Sequence, residues 1–453
     1  MSARPISFEP YWWRVAAPEP AAPVALAQHY DVAIVGSGYT GLRAAIELLR
    51  AGRSVVVLER EDPGFGASRR NAGYLGRGLK KAFPKLREKY GATYARAAYA
   101  EAGEAFRSTL EFIEKEGIDC HLQRCGRYIA ASSARHYEEL AGEMEVMKRE
   151  FGYEFSLVPR SRQREEFASD AYHGGAVLPA LGSLHPGLYH KGLLELVLRL
   201  GGAVSGRTEV TGIESGKDSV SLSTSRGSIL AGEAIIATNG YTPPGFAWHA
   251  RRLIPFTAYM AATEPLPDER FASLIPAGRT VLDTNFNIDF FRPAPDSNRI
   301  LFGGATGSGL SDNRAIAARL KRILASVLPQ LSDVALDHVW TGKCAGTFDY
   351  LPHMGRGDRV WYALGYNFGG VAMGSHLGAR LARRIMDPAE GESVFEQHTF
   401  PTMPFYRGKP WFLPLAMKWF DFKDGKARSG RAGRREAQRE LATVCGSRGR
   451  RRR

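Results

Sequence analysis

The sequence predicts an α/β fold in which a Rossmann-like domain is interleaved with a β-rich α+β domain. The first observation is a β-α-β unit, in which predicted strands at 31–36 and 54–59 flank a helical pattern at 42–49. This crossover is long enough for two parallel strands. The second observation is that strand-rich stretches recur later in the chain, before a glycine-opened helix at 369–386. Because the two patterns alternate, each domain is expected to be assembled from separated pieces.

Hydrophobic periodicity predicts the elements that follow the first unit. Helices are expected, in chain order, at 80–116, 135–150, 187–200 and 312–328. Strands are expected at 127–131, 174–178, 209–214, 219–223, 228–231, 234–238, 253–263, 290–292, 300–302 and 360–363.

These elements divide the chain into a discontinuous set of domains. Residues 1–29 contain five prolines and predict an irregular N-terminal arm whose tryptophans pack on the body. A C-terminal segment, 401–422, is expected to pack on the body, and 423–453 to be a disordered basic tail. The Rossmann-like domain is assigned to 30–79, 182–245 and 340–400, and the second domain to 80–181 and 246–339.

Charge and composition restrict the function classes. The segment from Lys423 onward carries +9 of the formal net charge of +14, so the rest of the chain has little basic excess and no specific nucleic-acid partner is expected. No run of about 18 apolar residues occurs, which predicts no membrane span. The four scattered cysteines indicate reduced thiols and no metal site. A cytoplasmic enzyme is the expectation.

The first turn carries a dinucleotide-binding pattern. Gly36, Gly38 and Gly41 fit G-x-G-x-x-G between a strand and a helix. The first glycine permits a tight turn, the second admits a pyrophosphate, and the third allows close packing of helix and strand. Glu59 ends the second strand, where a carboxylate accepts hydrogen bonds from an adenosine ribose. Because Arg60 lies beside Glu59, this pattern alone does not exclude NADP as the cofactor.

Three later loops favour FAD over a nicotinamide cofactor. The small-residue loop 64–73 follows the second strand and is suited to threading past a flavin. The loop 237–242 follows a hydrophobic strand, and 365–371 precedes the late helix. The N-terminus of that helix would direct N–H groups at the N1/C2 side of an isoalloxazine and stabilise the reduced ring.

These motifs resemble those of a known family. The chain is similar to the FAD-dependent amine and amino-acid oxidoreductases that include D-amino-acid oxidase, glycine oxidase and monomeric sarcosine oxidase, and most of all to gamma-glutamylputrescine oxidase-like proteins. The resemblance is carried by VGSGYTGL (35–42), GFGASRRNAG (64–73), ATNGYT (237–242), IPFTAYMAATEPL (254–266), DFFRPAPDSNRILFGG (289–304), GYNFGGVAMG (365–374) and FYRGKPWFLPLAMKWF (405–420).

The resemblance implies a glutathione-reductase-type FAD-binding domain and a set of cofactor contacts. The attaching cysteine of sarcosine oxidase would fall at Gly342, so noncovalent FAD is expected. The implied FAD contacts are Gly36, Gly38, Tyr39, Thr40, Gly41, Glu59, Arg60, Ser68, Arg70, Asn71, Gly73, Val210, Thr238, Gly369, Gly370 and Val371.

Two departures from the family pattern bear on the substrate. Amino-acid-oxidising members read W-A-G-L-R-P-G-T-P-D where this chain has Cys344 at the arginine position. A thiol cannot replace a guanidinium fork that pairs with a substrate carboxylate. Ala372 stands where sarcosine oxidase-like sequences carry a carboxylate-binding lysine. Both changes favour an amine, or a carboxylate held farther from the reacting carbon, unless Lys343 or Arg292 supplies the positive charge from another direction.

The resulting hypothesis is an FAD-dependent enzyme that oxidises the C–N bond of a gamma-glutamylputrescine-like or other amine, with oxygen or another electron acceptor as its second partner. Hydride would pass to flavin N5, and water would hydrolyse the imine. Candidates for catalytic or substrate-binding roles are Lys343, His185 and Arg292. The alternatives are an amino-acid oxidase, a flavin dehydrogenase, a tRNA-modifying flavoprotein of the same fold and a flavin-binding protein without catalysis.

Overall fold

The computed structural model describes residues 5–20 and 24–423. The helices of these residues are α1 (Trp13–Ala16), α2 (Tyr39–Arg50), α3 (Phe83–Tyr90), α4 (Ala92–Lys115), α5 (Ala134–Phe151), α6 (Pro186–Arg199), α7 (Ala247–Ala250), α8 (Asp268–Leu274), α9 (Asn313–Val327), α10 (Ala372–Met386) and α11 (Leu413–Lys423).

The strands of the described residues occur in three sheets. They are β1 (His29–Val35), β2 (Val55–Leu58), β3 (Tyr74–Leu75), β4 (Arg127–Ala130), β5 (Ser156–Val158), β6 (Gly175–Leu178), β7 (Gly182–Ser183), β8 (Ala203–Ser205), β9 (Val210–Ser215), β10 (Val220–Thr224), β11 (Gly227–Ile236), β12 (Ile254–Thr263), β13 (Thr280–Asp283), β14 (Phe290–Pro293), β15 (Ile300–Gly304), β16 (Leu336–Gly346), β17 (His353–Gly357) and β18 (Val360–Leu364).

The first sheet has a parallel centre. Its strand order is β17-β18-β11-β1-β2-β8, and β10 and β9 extend from β11 as an antiparallel flap. The β18–β11, β11–β1, β1–β2 and β2–β8 pairs are parallel. All four residues of β2 are buried, as expected of a parallel strand covered on both faces. This sheet confirms the predicted Rossmann-like part of the fold.

The second sheet is mostly antiparallel. Its order is β16-β12-β15-β14-β13-β4-β6-β5, with β13 and β4 as its parallel pair. The longest pairing joins β12 to β16, from Ile254 opposite Gly346 to Thr263 opposite Leu336. Helix α9 packs its apolar face on this sheet, and their buried side chains form a separate core. The third sheet is the two-stranded pair of β3 and β7.

Close contacts set how α2 packs. A Cβ at Gly41 would lie 2.0 Å from the carbonyl oxygen of Gly36, so only glycine lets α2 approach the turn after β1. A Cβ at Gly378 of α10 would lie 2.3 Å from the carbonyl oxygen of Thr40. Helices α2 and α10 therefore cross nearly in backbone contact, and their N-termini lie near each other.

Several predicted elements differ from the structure in their bounds. The helix predicted at 80–116 divides at Gly91, whose φ of +84° interrupts the helical backbone. The strands predicted at 228–231 and 234–238 are one strand, β11. The late helix begins at Ala372 because the preceding residues form a turn. The domain boundary placed at residue 340 falls within β16, which pairs along its length with β12 and so belongs to the second sheet.

Predictions were also made for the N-terminal arm and for the basic tail. The N-terminal arm contains the short helix α1, and Trp12 before it is fully buried. The basic tail predicted at 423–453 lies outside the described residues beyond Lys423. Among the described residues, no helix is long and apolar enough to cross a bilayer, and no group of three potential ligands is arranged to hold a metal ion.

Candidate functional site

A cavity of about 680 Å³ is bordered by residues of both large sheets. One part lies at the carboxyl ends of β1 and β2, where Val35 leads into the glycine turn and Leu58 leads to Glu59. The other part is bordered by β12, β14 and β16. Ligands of open parallel sheets bind at the carboxyl ends of the strands, so this cavity is the candidate site.

The glycine turn forms one wall of the cavity. Gly36 has a φ of +105°, a conformation that favours glycine, and a Cβ there would lie 3.0 Å from the carbonyl oxygen of Ala237. A Cβ at Gly38 would lie 3.1 Å from Ser68 Oγ. Helix α2 begins at Tyr39, whose N–H donates to Ser68 Oγ at 3.1 Å, so the N-terminus of this helix borders the same space. The wall is therefore a concave backbone surface suited to an anion.

Glu59 holds this turn in place. Its Oε2 accepts hydrogen bonds from the backbone N–H of Ser37 at 3.0 Å and from Ser37 Oγ at 2.7 Å. Its Oε1 accepts from the backbone N–H of Glu61 at 3.1 Å. A carboxylate can accept about four hydrogen bonds, so acceptor capacity remains for a group in the cavity.

The loop 64–73 lies on the cavity and is fixed by residues distant in sequence. Arg70 Nε donates to the carbonyl oxygen of Phe65 at 2.7 Å, and its guanidinium lies 4.5 Å from the Phe65 ring centre. Trp12 Nε1 donates to the carbonyl oxygen of Asn71 at 2.8 Å, and Trp340 Nε1 to that of Arg70 at 2.9 Å. The N-terminal arm and β16 therefore both position this loop.

The turn before α10 has unusual backbone geometry. Asn367 and Phe368 have φ of +48° and +79°, values that residues other than glycine rarely adopt. The backbone N–H of Gly365 donates to Asn239 Oδ1 at 2.9 Å, which ties this turn to the loop after β11. Residues 366–372 border the cavity, so the N-terminus of α10 faces it. Residues with strained backbone conformations of this kind are concentrated at binding sites.

The part of the cavity on the second sheet is apolar. The side chains of Phe286 and Phe420 stack with ring centres 3.7 Å apart, so α11 covers this part. Phe256 and Phe368 lie against each other with ring centres 5.0 Å apart. The apolar residues on this wall are Ile254, Phe256, Met260, Leu282, Phe286, Phe290, Tyr350, Phe368, Phe412, Leu413, Met417 and Phe420.

Comparison with known proteins identifies the family. Residues 31–384 match the family model described as FAD dependent oxidoreductase. The chain belongs to the FAD-dependent oxidoreductase family. It is 32% identical over 391 residues to the gamma-glutamylputrescine oxidoreductase of Escherichia coli, covering 85% of this chain and 90% of the relative. It is 30% identical over 411 residues to the probable oxidoreductase OrdL of Haemophilus influenzae, covering 89% and 94%.

Solved structures share the fold of this FAD-dependent oxidoreductase. The crystal structure of glycine oxidase from Geobacillus kaustophilus superposes with a TM-score of 0.67 at 22% identity, over 83% of this chain and 99% of that one. The predicted family and fold class are thereby confirmed.

The chain's own residues fit FAD. The cavity combines exposed backbone at Gly36 and Gly38, a carboxylate with acceptor capacity and the N-termini of α2 and α10. The predicted FAD contacts that border the cavity are Gly36, Gly38, Tyr39, Thr40, Glu59, Arg60, Ser68, Arg70, Asn71, Val210, Thr238, Gly369, Gly370 and Val371.

Two predicted FAD contacts lie behind the cavity wall. Gly41 faces the turn after β1 and allows α2 to pack there. Gly73 has a φ of +69°, and a Cβ there would lie 2.1 Å from the carbonyl oxygen of Leu184. Both glycines shape the wall through backbone packing, and the structure does not place either of them on the cavity surface.

The predicted catalytic candidate Lys343 borders the cavity with an exposed side chain. Its Nζ lies 5.8 Å from the ring centre of Tyr241, and its backbone N–H donates to Tyr241 Oη at 3.2 Å. Cys344 also borders the cavity, and burial raises the pKa of its thiol to about 12. The thiol is therefore neutral at physiological pH.

The structure does not place His185 on the cavity wall. Its Nδ1 accepts a hydrogen bond from the backbone N–H of Leu188 at 3.1 Å, which caps α6. Its ring packs edge-on against Trp12 with centres 4.8 Å apart. Burial lowers the pKa of the imidazole to about 4, so the ring is neutral near pH 7. These contacts assign His185 to positioning α6 and the N-terminal arm.

Arg292 likewise lies behind the wall. It is fully buried, and its Nη1 donates to the carbonyl oxygens of Ala72 and Leu184, both at 2.9 Å. Burial lowers the pKa of the guanidinium to about 10, which leaves it charged. Arg292 therefore clamps the end of the loop 64–73, and the structure does not place it on the cavity wall.

Sequence reasoning missed several residues that build the site. Ser37 lies inside the glycine pattern, but its hydrogen bonds to Glu59 form only when the β-α-β unit is folded, so the sequence does not show them. Tyr366 Oη and Thr40 Oγ1 share a 2.6 Å hydrogen bond that joins the two helix N-termini. For the side of α11 that borders the cavity, the aromatic residues of 405–420 were the sequence feature that could have indicated its position. For Tyr366 and for α11 the partner lies far along the chain.

Proposed function

We propose that this FAD-dependent oxidoreductase oxidises the C–N bond of an amine. The observation that carries the proposal is Cys344, a neutral thiol on the cavity wall. The family resemblance implies an arginine at this position in members that oxidise amino acids. Ala372, also on the wall, adds no cation. A substrate carboxylate beside the reacting carbon would lack the paired guanidinium that such a buried charge needs. The similarity to a gamma-glutamylputrescine oxidoreductase supports an amine substrate.

The apolar wall suits the protonation state that the reaction requires. FAD, when bound, supplies a hydride acceptor at flavin N5. An amine gives up hydride from its α-carbon only when the nitrogen lone pair is free. Burial against Phe256, Phe290 and Met260 disfavours the ammonium form and so lowers the pKa of the substrate amine. The resulting imine takes up water to give a carbonyl compound and a free amine.

The cavity also extends to a carboxylate that suits an elongated substrate. Glu143 of α5 borders it together with Tyr99 and Tyr153. Burial raises the pKa of the Glu143 carboxyl, and the positive charge of Lys85 opposes this shift. An ammonium group on the far end of a substrate would pair with this carboxylate and keep it ionised. A diamine derivative fits this arrangement.

The test is anaerobic mixing of the purified holoenzyme with single compounds while flavin absorbance is followed. The panel contains monoamines, diamines, N-acylated diamines, glycine and N-methylglycine. Amines with an extended chain are expected to bleach the flavin fastest. Reduction by the amino acids, with none by the amines, would overturn the proposal. Adding oxygen and assaying hydrogen peroxide then distinguishes an oxidase from a dehydrogenase.

Noncovalent attachment of FAD is a separate part of the proposal. Gly342, at the position of the attaching cysteine of sarcosine oxidase, has no nucleophile, and the Cys344 thiol resists ionisation because burial raises its pKa. Acid precipitation of the protein is expected to release all of the flavin into the supernatant. Yellow colour that stays with the precipitate would show a covalent bond.

A further inference from the structure

The outer face of α11 carries an exposed apolar stripe. Trp411, Leu415, Trp419 and Phe422 are 72%, 67%, 62% and 62% exposed. Their spacing of four, four and three residues places them along one side of the helix and the turn before it. We call these four residues the C-terminal stripe. Monomeric proteins seldom leave such a continuous apolar surface in water unless it has a partner.

The opposite face of the same helix accounts for its position on the body. Leu413, Ala416, Met417 and Phe420 border the cavity, and Phe420 stacks on Phe286. The helix is therefore already packed on one side. The C-terminal stripe is an additional apolar face, and no part of chain 5–20 or 24–423 covers it.

Most charged residues near the stripe are basic, with Asp421 of the same helix as an acidic one. Lys409 and Lys418 are exposed beside it. The sequence continues from α11 directly into residues 424–453, which hold eleven basic and three acidic residues. An apolar face with aromatic side chains, bordered by lysines and followed by a strongly basic segment, has the chemistry of a helix that lies in the headgroup region of an anionic bilayer.

We propose that the C-terminal stripe docks on the surface of an anionic phospholipid membrane, with residues 424–453 adding electrostatic attraction. A second copy of this chain is the less favoured occupant. Pairing two stripes would bring together two C-terminal segments of like charge, and that repulsion opposes association. An anionic bilayer offers an apolar boundary for the C-terminal stripe and negative headgroups for the basic residues. Helix α11 would lie in the plane of the interface and not cross it.

The experiment is flotation of the full-length holoenzyme with vesicles of phosphatidylcholine alone and of phosphatidylcholine mixed with phosphatidylglycerol. The wild-type protein is expected to float with the anionic vesicles at low salt and to detach at high salt. The variant Trp411→Ser, Leu415→Ser, Trp419→Ser and Phe422→Ser is expected to bind at least about tenfold more weakly. A chain ended after Lys423 is expected to lose the preference for anionic vesicles.

The control carries Leu198→Ser and Leu230→Ser, which remove exposed apolar side chains elsewhere and are expected to leave binding unchanged. The flavin absorbance spectrum of each variant verifies that it has folded. The proposal is wrong if wild-type protein binds neither vesicle, or if the four-residue variant binds as well as wild type. A wild-type dimer that the same four changes convert to a monomer, without vesicle binding, would assign the stripe to a second copy.

Discussion

The proposed choice of substrate depends on a single side chain, that of Cys344. It lies on β16 opposite Phe256 of β12, with the turn after β11 packed against its backbone. A Cβ at Gly240 would lie 2.7 Å from the Cys344 carbonyl group, so the position of residue 344 is fixed by its surroundings. The identity of this side chain therefore determines what charge the cavity wall presents there.

Cys344→Arg is expected to shift the enzyme toward α-amino acids. A guanidinium at this place can pair with a substrate carboxylate, and a charge-assisted hydrogen-bonded pair contributes about 1.5–3 kcal/mol. The ratio of kcat/KM for N-methylglycine to that for the preferred amine should rise about tenfold or more. Cys344→Ser, which adds no charge, is the matched control. An unchanged ratio in the arginine variant would contradict the assignment of Cys344 to the substrate wall.

Glu143 offers a test of substrate length. Glu143→Gln removes the negative charge that would meet a remote ammonium, so KM for a diamine derivative should rise about tenfold, equivalent to about 1.4 kcal/mol. The kcat should stay the same, and simple monoamines should be unaffected. Glu145→Gln, on the exposed side of the same helix, controls for the change in net charge. Equal effects on monoamines and diamines would show that Glu143 has only a structural role.

At the scale of elements, the crossing of α2 and α10 determines the site. Both helices direct their N-termini at the cavity, and the hydrogen bond between Thr40 and Tyr366 joins them there. Their axes approach closely because Gly374 and Gly378 of α10 lie against Thr40. A shift of either helix would move its N–H groups away from an anionic ligand.

Gly378→Ala is expected to separate the two helices. The added Cβ would lie 2.3 Å from a backbone oxygen of α2, and overpacking of this kind costs about 1–3 kcal/mol. Both the free energy of unfolding and the affinity for FAD should fall. Gly142→Ala is the control, because Gly142 is a helical glycine with open space around it, and it should stabilise α5 by about 0.5–1 kcal/mol. Urea denaturation and flavin titration provide the two measurements.

The crossing also shows what the sequence can predict and what it cannot. The β-α-β unit and its glycine turn were predictable because strand, turn and helix are contiguous and each has a local pattern. The role of Gly378 was not, since its partner Thr40 is more than three hundred residues away. For the same reason the sequence indicated that Trp12 needs a packing site but not that this site is the loop 64–73.

The places of the candidates His185 and Arg292 in the structure have a related physical cause. Both His185 and Arg292 are polar residues, and the sequence suggested them as candidates because their side chains can bind a substrate or carry a charge. Sequence alone does not distinguish a polar side chain that faces a cavity from one that satisfies buried backbone groups. In the structure both are buried, and Arg292 donates to carbonyl oxygens of two separate segments.

At the scale of the whole molecule, buried neutral histidines connect the site to stability. His190 of α6 is fully buried, and its Nε2–H donates to the carbonyl oxygen of Ser37 at 2.7 Å. Its Nδ1 accepts from Arg69 Nε at 2.9 Å, which requires the neutral ring. Burial, reinforced by the charge of Arg69, lowers the pKa of His190 to about 3. The histidine thus links α6, the loop 64–73 and the glycine turn.

This arrangement predicts that stability falls with acidification. The pKa of His190 is lower in the folded state than the value of about 6.5 expected when unfolded, so the unfolded chain binds the extra proton below pH 6.5. The contribution is complete above that pH and decreases as pH falls toward about 3, by about 1.4 kcal/mol per pH unit. His185, with a folded pKa of about 4, acts in the same direction.

His190→Gln should therefore make the pH dependence shallower as well as lower the stability. Urea denaturation at a fixed FAD concentration, from pH 7 down to pH 5, gives the free energy of unfolding at each pH. Below about pH 6.5 the slope for the variant should be smaller than that of wild type by about 1.4 kcal/mol per pH unit, the effect of one proton. His29→Gln, at an exposed position, should leave the slope unchanged. Equal slopes for His190→Gln and wild type would show that His190 is already protonated in the folded protein. Its Nδ1 could then not accept the hydrogen bond from Arg69 Nε, and the assignment of that bond would be wrong.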